Sequence, residues 1–299
     1  MDSPLIESTT TPSLRLPAGR ATAESGNAGG AAQGLCRRVE GVIRSYDEMR
    51  LQVYRSRPGN PNRIEFLSVG GARAMRFPAV GYFNQVYGVG EAELGRIDEL
   101  RAFYAGASFK LYVSPDADRA LVEEGLRSAG CVEEGHLVRL FHPLTPQPVP
   151  PWPVGMRLES LHPEDTDLFF RTYLSAFGAK TDNWEPALAN MRLLARQPEL
   201  KCLFAKLHGD AAGIAMLYFH DRIACLCAGA VLPWFEKLGL QSILIHERLR
   251  LGRHRGCELA VSWTEANSQS HRNLARFGFQ TAYVDTIWVH GGKAQGGVS

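Results

Sequence analysis

The sequence predicts an α/β (α+β) protein made of two similar halves, each a mixed, mostly antiparallel sheet flanked by helices. Three observations predict this class. Strand-like and helix-like segments alternate along most of the 299 residues. A proline-rich segment divides the chain, and the element order before it is repeated after it. A chain of this length is typical of about two domains.

The proline-rich segment sets the domain boundaries. The stretch "HPLTPQPVPPWPVG", 142–155, holds six prolines. Proline fixes φ and removes a backbone donor, so an extended linker is expected. The expected organisation is a disordered tail at 1–34, a first domain at 35–141, a linker at 142–154, a second domain at 155–290 and a flexible tail at 291–299.

In the first half, the apolar periodicity predicts helices at about 36–55, 91–105 and 116–128. The predicted strands are "RIEFLSV", "ARAMRF", "GYFNQVYGV", "FKLYV" and "HLVRLF". The sequence "VYGVGEAE", 86–93, has a G-x-G before a helix. Acids at 91 and 93 would repel a phosphate, so an ordinary strand–helix turn is the interpretation.

The second half opens with helices and continues with an antiparallel meander. In "HPEDTDLFFRTYLSAFG", Pro163 suits a first helical turn and Gly178 a helix end. A second helix fits 184–196. Short turns join the strands "LKCLFAKL", "AAGIAMLYF" and "RIACLCAGAV". A helix at 239–253, a strand "ELAVSW", a helix at 268–277 and a strand "TAYVDTIWVH" follow.

The last strand, helix, Gly and strand of the two halves, 111–142 and 259–290, align without a gap when the first half is shifted by 148 positions. Six identities result, at Leu111/Leu259, Val113/Val261, Ser114/Ser262, Leu126/Leu274, Gly130/Gly278 and His142/His290. With the matching element order, they favour an internal duplication. Chance alignment of two unrelated strand–helix–strand units is the alternative.

Composition excludes several classes of function. The net charge of +2 gives no electrostatic case for nucleic acid or an acidic membrane surface. No apolar run approaches the ~20 residues of a membrane span. Six scattered cysteines without a C-x-x-C favour reduced thiols in a cytoplasmic protein. No ligand spacing suggests a metal. Hydrolase, P-loop and dinucleotide motifs are absent.

The stretch "AVLPWFEKLGLQSILIHERLRLG", 230–252, has the layout of an anion site. A strand ends at Pro233, and Gly239 precedes a helix whose first N–H groups lack intrahelical acceptors. Glu236 opposes this interpretation, because a carboxylate near a phosphate is repulsive. A strand-to-helix turn without a ligand is the alternative.

The second half resembles the GNAT acyltransferase family over about 155–290. The resemblance rests on the element order and on "VLP" at 231–233, "GLQ" at 239–241 and the segment from Asn267 to Phe279. The first half resembles the degenerate partner domain of tandem GNAT proteins, since its counterpart of the Gly239 turn opens with acids.

The resemblance implies an acetyl-CoA site. Two neighbouring strands would splay apart, and the backbone near Ala230 and Val231 would contact pantetheine. The amides of Leu238, Gly239, Leu240, Gln241 and Ser242 would hold the pyrophosphate. Glu236 stands where the family has Gln or Arg, and Gln241 where it usually has Gly or Ala.

The expected catalytic groups follow from the same resemblance. Glu265, just past a strand end, is the candidate base; a plain surface carboxylate is the alternative. The position of the family's acidic Tyr holds Leu274, so Ser270 is a weak candidate acid. Asn267 is an expected N-cap or cofactor contact, and mid-helix Asn273 a contact to pantetheine or substrate.

The expected function is transfer of an acetyl or other acyl group from acyl-CoA to an amine of a small molecule. A non-catalytic GNAT-fold ligand-binding or assembly module is the alternative, and transfer from an aminoacyl-tRNA is disfavoured by the charge. The expected partners are a small-molecule amine without nucleic acid or membrane, and the expected state is a monomer or homodimer.

Overall fold

A computed structural model describes residues 26–178 and 184–291. Its helices are α1 Gly26–Arg55, α2 Glu91–Leu94, α3 Ile97–Tyr104, α4 Arg119–Ser128, α5 Thr166–Ala176, α6 Glu185–Leu194, α7 Leu240–His254 and α8 Gln269–Arg276. Its strands are β1 Glu65–Val69, β2 Ala72–Arg76, β3 Gln85–Val89, β4 Phe109–Val113, β5 Val132–His142, β6 Met156–Ser160, β7 Leu200–Leu207, β8 Asp210–His220, β9 Ile223–Val231, β10 Leu259–Glu265 and β11 Gln280–His290.

Most predicted elements are present, with local differences. The first-half helix predicted at 91–105 is broken at 95–96 into α2 and α3. Strand β6, which pairs antiparallel with β7, was not predicted. Between His142 and Met156 there is no helix or strand, in agreement with the proline content.

The prediction of a disordered tail at 1–34 is wrong for residues 26–34, because α1 begins at Gly26. Residues 30–33 are exposed, so this part of the helix projects beyond the segment that packs on the sheet and makes no core contacts. The remainder of the predicted tail, and the predicted C-terminal tail beyond Gly291, lie outside the described residues.

The strands form one sheet of eleven, in the order β1-β2-β3-β4-β11-β5-β10-β9-β8-β7-β6. Each half donates its last strand to the other: β11 pairs with β4, and β5 pairs with β10. The two exchanged strands, 132–142 and 280–290, are related by the 148-residue shift of the sequence alignment. The chain therefore folds as two similar α/β units joined through one continuous sheet, which is the arrangement that the resemblance to tandem GNAT proteins predicted.

The centre of the sheet carries a buried ion pair. Arg139 of β5 donates to Asp285 of β11 at 2.8 Å, and both side chains are almost fully buried. Burial raises the pKa of Asp285, and Arg139 opposes this shift. The pair therefore fixes the register between the two exchanged strands at a cost in desolvation.

Helices cover both faces of the sheet. On one face, α1, α5 and α6 form a single core, and α1 presents Val39, Val42, Ile43 and Tyr46 at helical spacing. On the other face, α3 and α4 cover the first half, while α7 and α8 cover the second. Helix α1 thus belongs to the first half in sequence but also packs on strands of the second.

Candidate active site

Strands β9 and β10 of the second half are paired along only part of their length. They pair in parallel at only three positions, the last being Val261 with Cys225. Beyond this point Ser262 Oγ donates to the carbonyl of Leu226 at 3.0 Å. A register shift against β8, between Leu226 and Ala228, bends β9 at the same place. The result is a gap between the ends of the two strands.

Helix α7 begins beside this gap with its N-terminus uncapped. Gly239, at φ +82°, precedes the helix and offers no side-chain cap. Ile243 N–H donates to the Gly239 carbonyl at 3.2 Å, so the N–H groups of Leu240, Gln241 and Ser242 precede the first helical bond. Only glycine adopts this φ without strain, which explains the residue at the turn.

The loop before α7 is open to solvent. Trp234 and Leu238 are exposed large apolar residues, and Glu236 and Lys237 are exposed as well. In the described part of the chain neither Glu236 nor Lys237 forms an ion pair. Lys237 takes a positive φ of 63°. The acid at 236 therefore has freedom to turn away from a bound anion.

The backbone predicted to contact pantetheine lies along the same gap. Ala230 and Val231 are half-buried and pair with Ile214 and Gly213 of β8 on their other side. Gln241 Nε2 reaches back to the carbonyl of Gly229 at 3.3 Å. The predicted pantetheine and pyrophosphate segments are thus neighbours in space.

Glu265 is the last residue of β10 and is exposed. Alternation along the strand places it on the face of Val261 and Trp263. This is the face covered by α1, where Tyr46 lies 6.2 Å from Trp263 between ring centroids. The candidate base and the candidate anion-binding helix thus lie on opposite faces of the sheet, with the gap between them.

Comparison with known proteins agrees with this geometry. The sequence model of the Acetyltransferase (GNAT) family matches residues 158–279. Residues 158–279 are a GNAT-family domain. No curated protein matches the chain.

Solved structures give the same fold at low identity. A GCN5-related N-acetyltransferase from Kribbella flavida is 15% identical, with 83% of this chain and 95% of that chain covered and a TM-score of 0.60. The GCN5-related N-acetyltransferase from Sphaerobacter thermophilus is 16% identical, with 80% and 84% covered and a TM-score of 0.59. A tandem GNAT protein from the clavulanic acid biosynthesis pathway is 14% identical, with 76% and 82% covered and a TM-score of 0.56.

Within the GNAT domain, Arg248 of α7 was not singled out by the sequence, and the structure buries it against β9. Its Nη1 donates to the Ala228 carbonyl at 2.8 Å and its Nε to the Leu244 carbonyl at 3.0 Å. Burial lowers its pKa to about 10.

Arg248 also explains Gly229. A Cβ on Gly229 would lie 2.5 Å from Nη2 of Arg248, so a larger residue would displace the guanidinium. No carboxylate pairs with Arg248 among residues 26–178 and 184–291. A buried cation whose partners are carbonyls is costly, which is typical of a functional position.

Helix α8 corrects one prediction. Its N-cap is Ser268, whose Oγ accepts from His271 N–H at 3.0 Å, and not Asn267. Asn267 is exposed at φ +59° and donates its own N–H to His271 Nδ1. The asparagine side chain is suited to this left-handed position, which explains its presence.

The other α8 candidates have different surroundings. Ser270 is exposed on the first turn. Asn273 Oδ1 accepts from Gln269 at 2.9 Å and also from Arg276, so bonds within the helix account for this mid-helix asparagine. Leu274, at the position of the family's Tyr, is buried in the core beneath α8.

The aromatic side chains on and beside the first two helices of the second half belong to the core. Tyr173, Phe177 and Trp184 are half-buried and pack on the same cluster as Tyr46 and Tyr218. Residues 179–183, between two of them, lie outside the description. Ser45 of α1 shares a hydrogen bond with the Tyr218 hydroxyl at 2.9 Å, which ties the first half to this cluster.

Cys225 and Cys227 both lie on β9 and pack in the same core cluster. Burial raises the pKa of Cys225. Across the described residues, no group of three or more His, Cys, Asp or Glu side chains could hold a metal ion. Nor is any described helix long and apolar enough to cross a membrane.

Proposed function

We propose that the second half transfers an acyl group, most simply acetyl from acetyl-CoA, to an amine of a small molecule. The observation that carries this proposal is the separation of β9 and β10 beside the uncapped start of α7. The GNAT family and its fold support acyl transfer from acyl-CoA in general.

The residues of the gap fit acetyl-CoA in two respects. The uncapped N–H groups at 240–242 would hold the pyrophosphate, aided by the helix dipole. The edge of β9 near Ala230 and Val231 would hydrogen-bond the pantetheine amides. Asn267 and Asn273 stay proposed secondary contacts, although Asn273 would first have to release its bonds within α8.

Glu265 is the proposed base for the reaction. It would take one proton of the acceptor ammonium, the amine would then attack the thioester carbon as the carbon–sulfur bond breaks, and the new amide nitrogen would release its second proton to solvent. The leaving thiolate would take a proton from solvent or from Ser270, because Leu274 has none to give. A thiolate is a good leaving group, so the missing tyrosine does not prevent turnover.

A non-catalytic binding module is the second candidate. Two observations favour it: buried Leu274 stands in place of an acid, and the carboxylate of Glu236 stands just before the anion-binding turn. A thiol assay separates the two candidates. Release of CoA that depends on an added amine, and that Glu265→Gln reduces by ~10-fold or more, supports catalysis. Acetyl-CoA binding without such release supports the module.

Calorimetry with acetyl-CoA tests the site itself. Glu236→Arg should bind acetyl-CoA ~10-fold more tightly than wild type, about 1.4 kcal/mol, because a repulsive charge becomes attractive. Glu124→Arg is the matched control, since Glu124 is an exposed acid on α4 of the first half. Equal effects of the two substitutions, or no binding by the wild type, would contradict the proposed site.

A further inference from the structure

A cleft of about 400 Å³ lies in the first half, where β3 and β4 end. One wall is α1, which contributes Glu40 and Gly41. The opposite wall is the turn from β3 into α2, with the loop that follows β4. The sequence shift of 148 relates β4 to β10, and β3 pairs in parallel with β4 as β9 does with β10, so this cleft lies at the first-half counterpart of the gap.

Glu40 points into this cleft without a hydrogen-bond partner. It is only 9% exposed, and its Oε1 is buried with no partner in the described part of the chain. Oε1 lies 3.8 Å from where a Cβ on Gly88 would stand, so the carboxyl faces β3 across the cleft. A buried carboxylate that lacks donors is strongly disfavoured unless a ligand supplies them.

The other carboxylates of the cleft are already engaged. Asp116 accepts from Arg37 at 3.1 Å. Glu93 accepts from two backbone N–H groups, those of Gly71 and Gly90. Glu40 is thus the carboxyl that the cleft leaves for a ligand.

The charges around Glu40 favour a cation. Four carboxylates and two arginines line the cleft, the acids being Glu40, Glu91, Glu93 and Asp116 and the bases Arg37 and Arg44. Arg44, one turn along α1, reduces the negative charge near Glu40 without a hydrogen bond to it. The surplus of acids distinguishes this cleft from the anion-binding turn of the second half.

We propose that the first-half cleft binds a small ligand through a primary ammonium group, which donates its hydrogen bonds to Glu40. An ammonium offers three donors and a compact positive charge, which suits an isolated buried carboxylate. The proposal does not depend on acyl transfer by the second half. The proposed ammonium site is separate from the acetyl-CoA site and lies in the first half, which resembles a degenerate partner domain.

The pH dependence of binding follows from the surroundings of Glu40. Burial raises the pKa of Glu40 to about 7; Arg44 and Arg139 oppose the shift, while Asp285 and Asp116 add to it. Arg37, Glu91 and Glu93 complete the charged lining. Because the ionised carboxylate receives the ammonium, binding should strengthen as pH rises through about 7.

Calorimetry on the full chain with diaminobutane tests the proposal, with butanediol as the uncharged ligand of equal length. Diaminobutane should bind the wild type, more tightly at about pH 8 than at about pH 6, and butanediol should not bind. Glu40→Gln should weaken diamine binding by ~10-fold or more, and Glu124→Gln, which removes an exposed acid, should leave it unchanged.

Gly41→Leu provides a second variant that should fold. A Cβ at Gly41 meets no atom within 4 Å, and the helix gains a better helix former. Its side chain would occupy the cleft and weaken the diamine to the same extent. Equal binding of diol and diamine, unchanged diamine binding in both Glu40→Gln and Gly41→Leu, or no diamine binding by the wild type would overturn the proposal.

Discussion

The two halves have related strand pairs that differ in one respect: β3 ends where its pairing with β4 ends, whereas β9 continues beyond its pairing with β10. In the first half, Ser114 N–H donates to the Val89 carbonyl at 2.8 Å, so β3 and β4 stay joined to their ends. In the second half the corresponding residue, Ser262, lies just past the last pair, Val261 with Cys225, and its side chain bonds to the Leu226 carbonyl. Strand β9 continues beyond this pair to Val231, whereas β3 ends at Val89 with its pairing to β4.

The helices that follow β3 and β9, α2 and α7, also differ between the halves, because only α2 has an acid bound at its N-terminus. The carboxylate of Glu93 caps α2 by accepting from Gly90 N–H at 2.9 Å, and so occupies the place of an anion. Helix α7 begins at Gly239 with no such cap, and the nearby acid Glu236 is exposed. An acid close to a strand–helix turn can thus be a structural cap in one half and a surface charge in the other.

The largest expected effect comes from removing these two acids in turn. Glu93→Ala should lower the free energy of unfolding by about 3 kcal/mol, because two backbone N–H groups lose a charged acceptor. Glu236→Ala should change it by less than about 0.5 kcal/mol. Urea denaturation measures both, and similar losses for the two variants would show that the halves do not differ in this way.

The buried acid of the first cleft should make stability depend on pH. The folded-state pKa of Glu40 is raised from 4.5 to about 7, so the folded protein holds this proton more tightly than the unfolded chain. The contribution is present below about 4.5 and is lost as pH rises through about 7, up to about 3 kcal/mol.

Urea denaturation of wild type and Glu40→Gln across that pH range isolates the contribution, since glutamine does not titrate. The stability of the wild type relative to Glu40→Gln should fall as pH rises. Glu124→Gln should keep the wild-type pH profile. A constant difference between wild type and Glu40→Gln would mean that Glu40 titrates normally.

Substitution of Gly239 should weaken acetyl-CoA binding, whereas the same substitution of Gly256 should not. Gly239→Ala should lower stability by about 1 kcal/mol through its positive φ, and should weaken acetyl-CoA by ~10-fold if this turn binds the pyrophosphate. Gly256→Ala, at φ +75° after the other end of α7, should lower stability equally and leave acetyl-CoA binding unchanged. Equal affinity losses would place the anion elsewhere.

The smallest expected effect concerns the helices α4 and α8, which the duplication relates. Asp118 caps α4 through Leu121 N–H, and Ser268 caps α8 through His271 N–H. Asp118→Ala and Ser268→Ala should each cost about 1 kcal/mol. Ser270→Ala, on the exposed first turn of α8, should cost little. Thermal denaturation checks all three, and a large loss from Ser270→Ala would point to a partner for its hydroxyl.

Much of the fold was predictable because its signals are local. Apolar periodicity located α5 to α8 and the meander β7–β8–β9, and Pro163, Gly178 and Gly239 marked helix ends. The candidate base Glu265 was expected at a strand end and lies there. Strand β6 was missed because it is short and follows the linker directly. Its role as a strand comes from pairing with β7.

By itself, the sequence determined most of the elements, the order in which they recur and the glycine turn before α7, since these depend on residues near one another in the chain. Only the tertiary structure decided which strands exchange between halves, which acid caps a helix and where Arg248 and Glu40 point. These outcomes depend on pairing and burial between residues far apart in sequence, such as Ala228 and Arg248 or Glu40 and Gly88. The desolvation that gives both charged groups their chemistry exists only once those distant segments have packed.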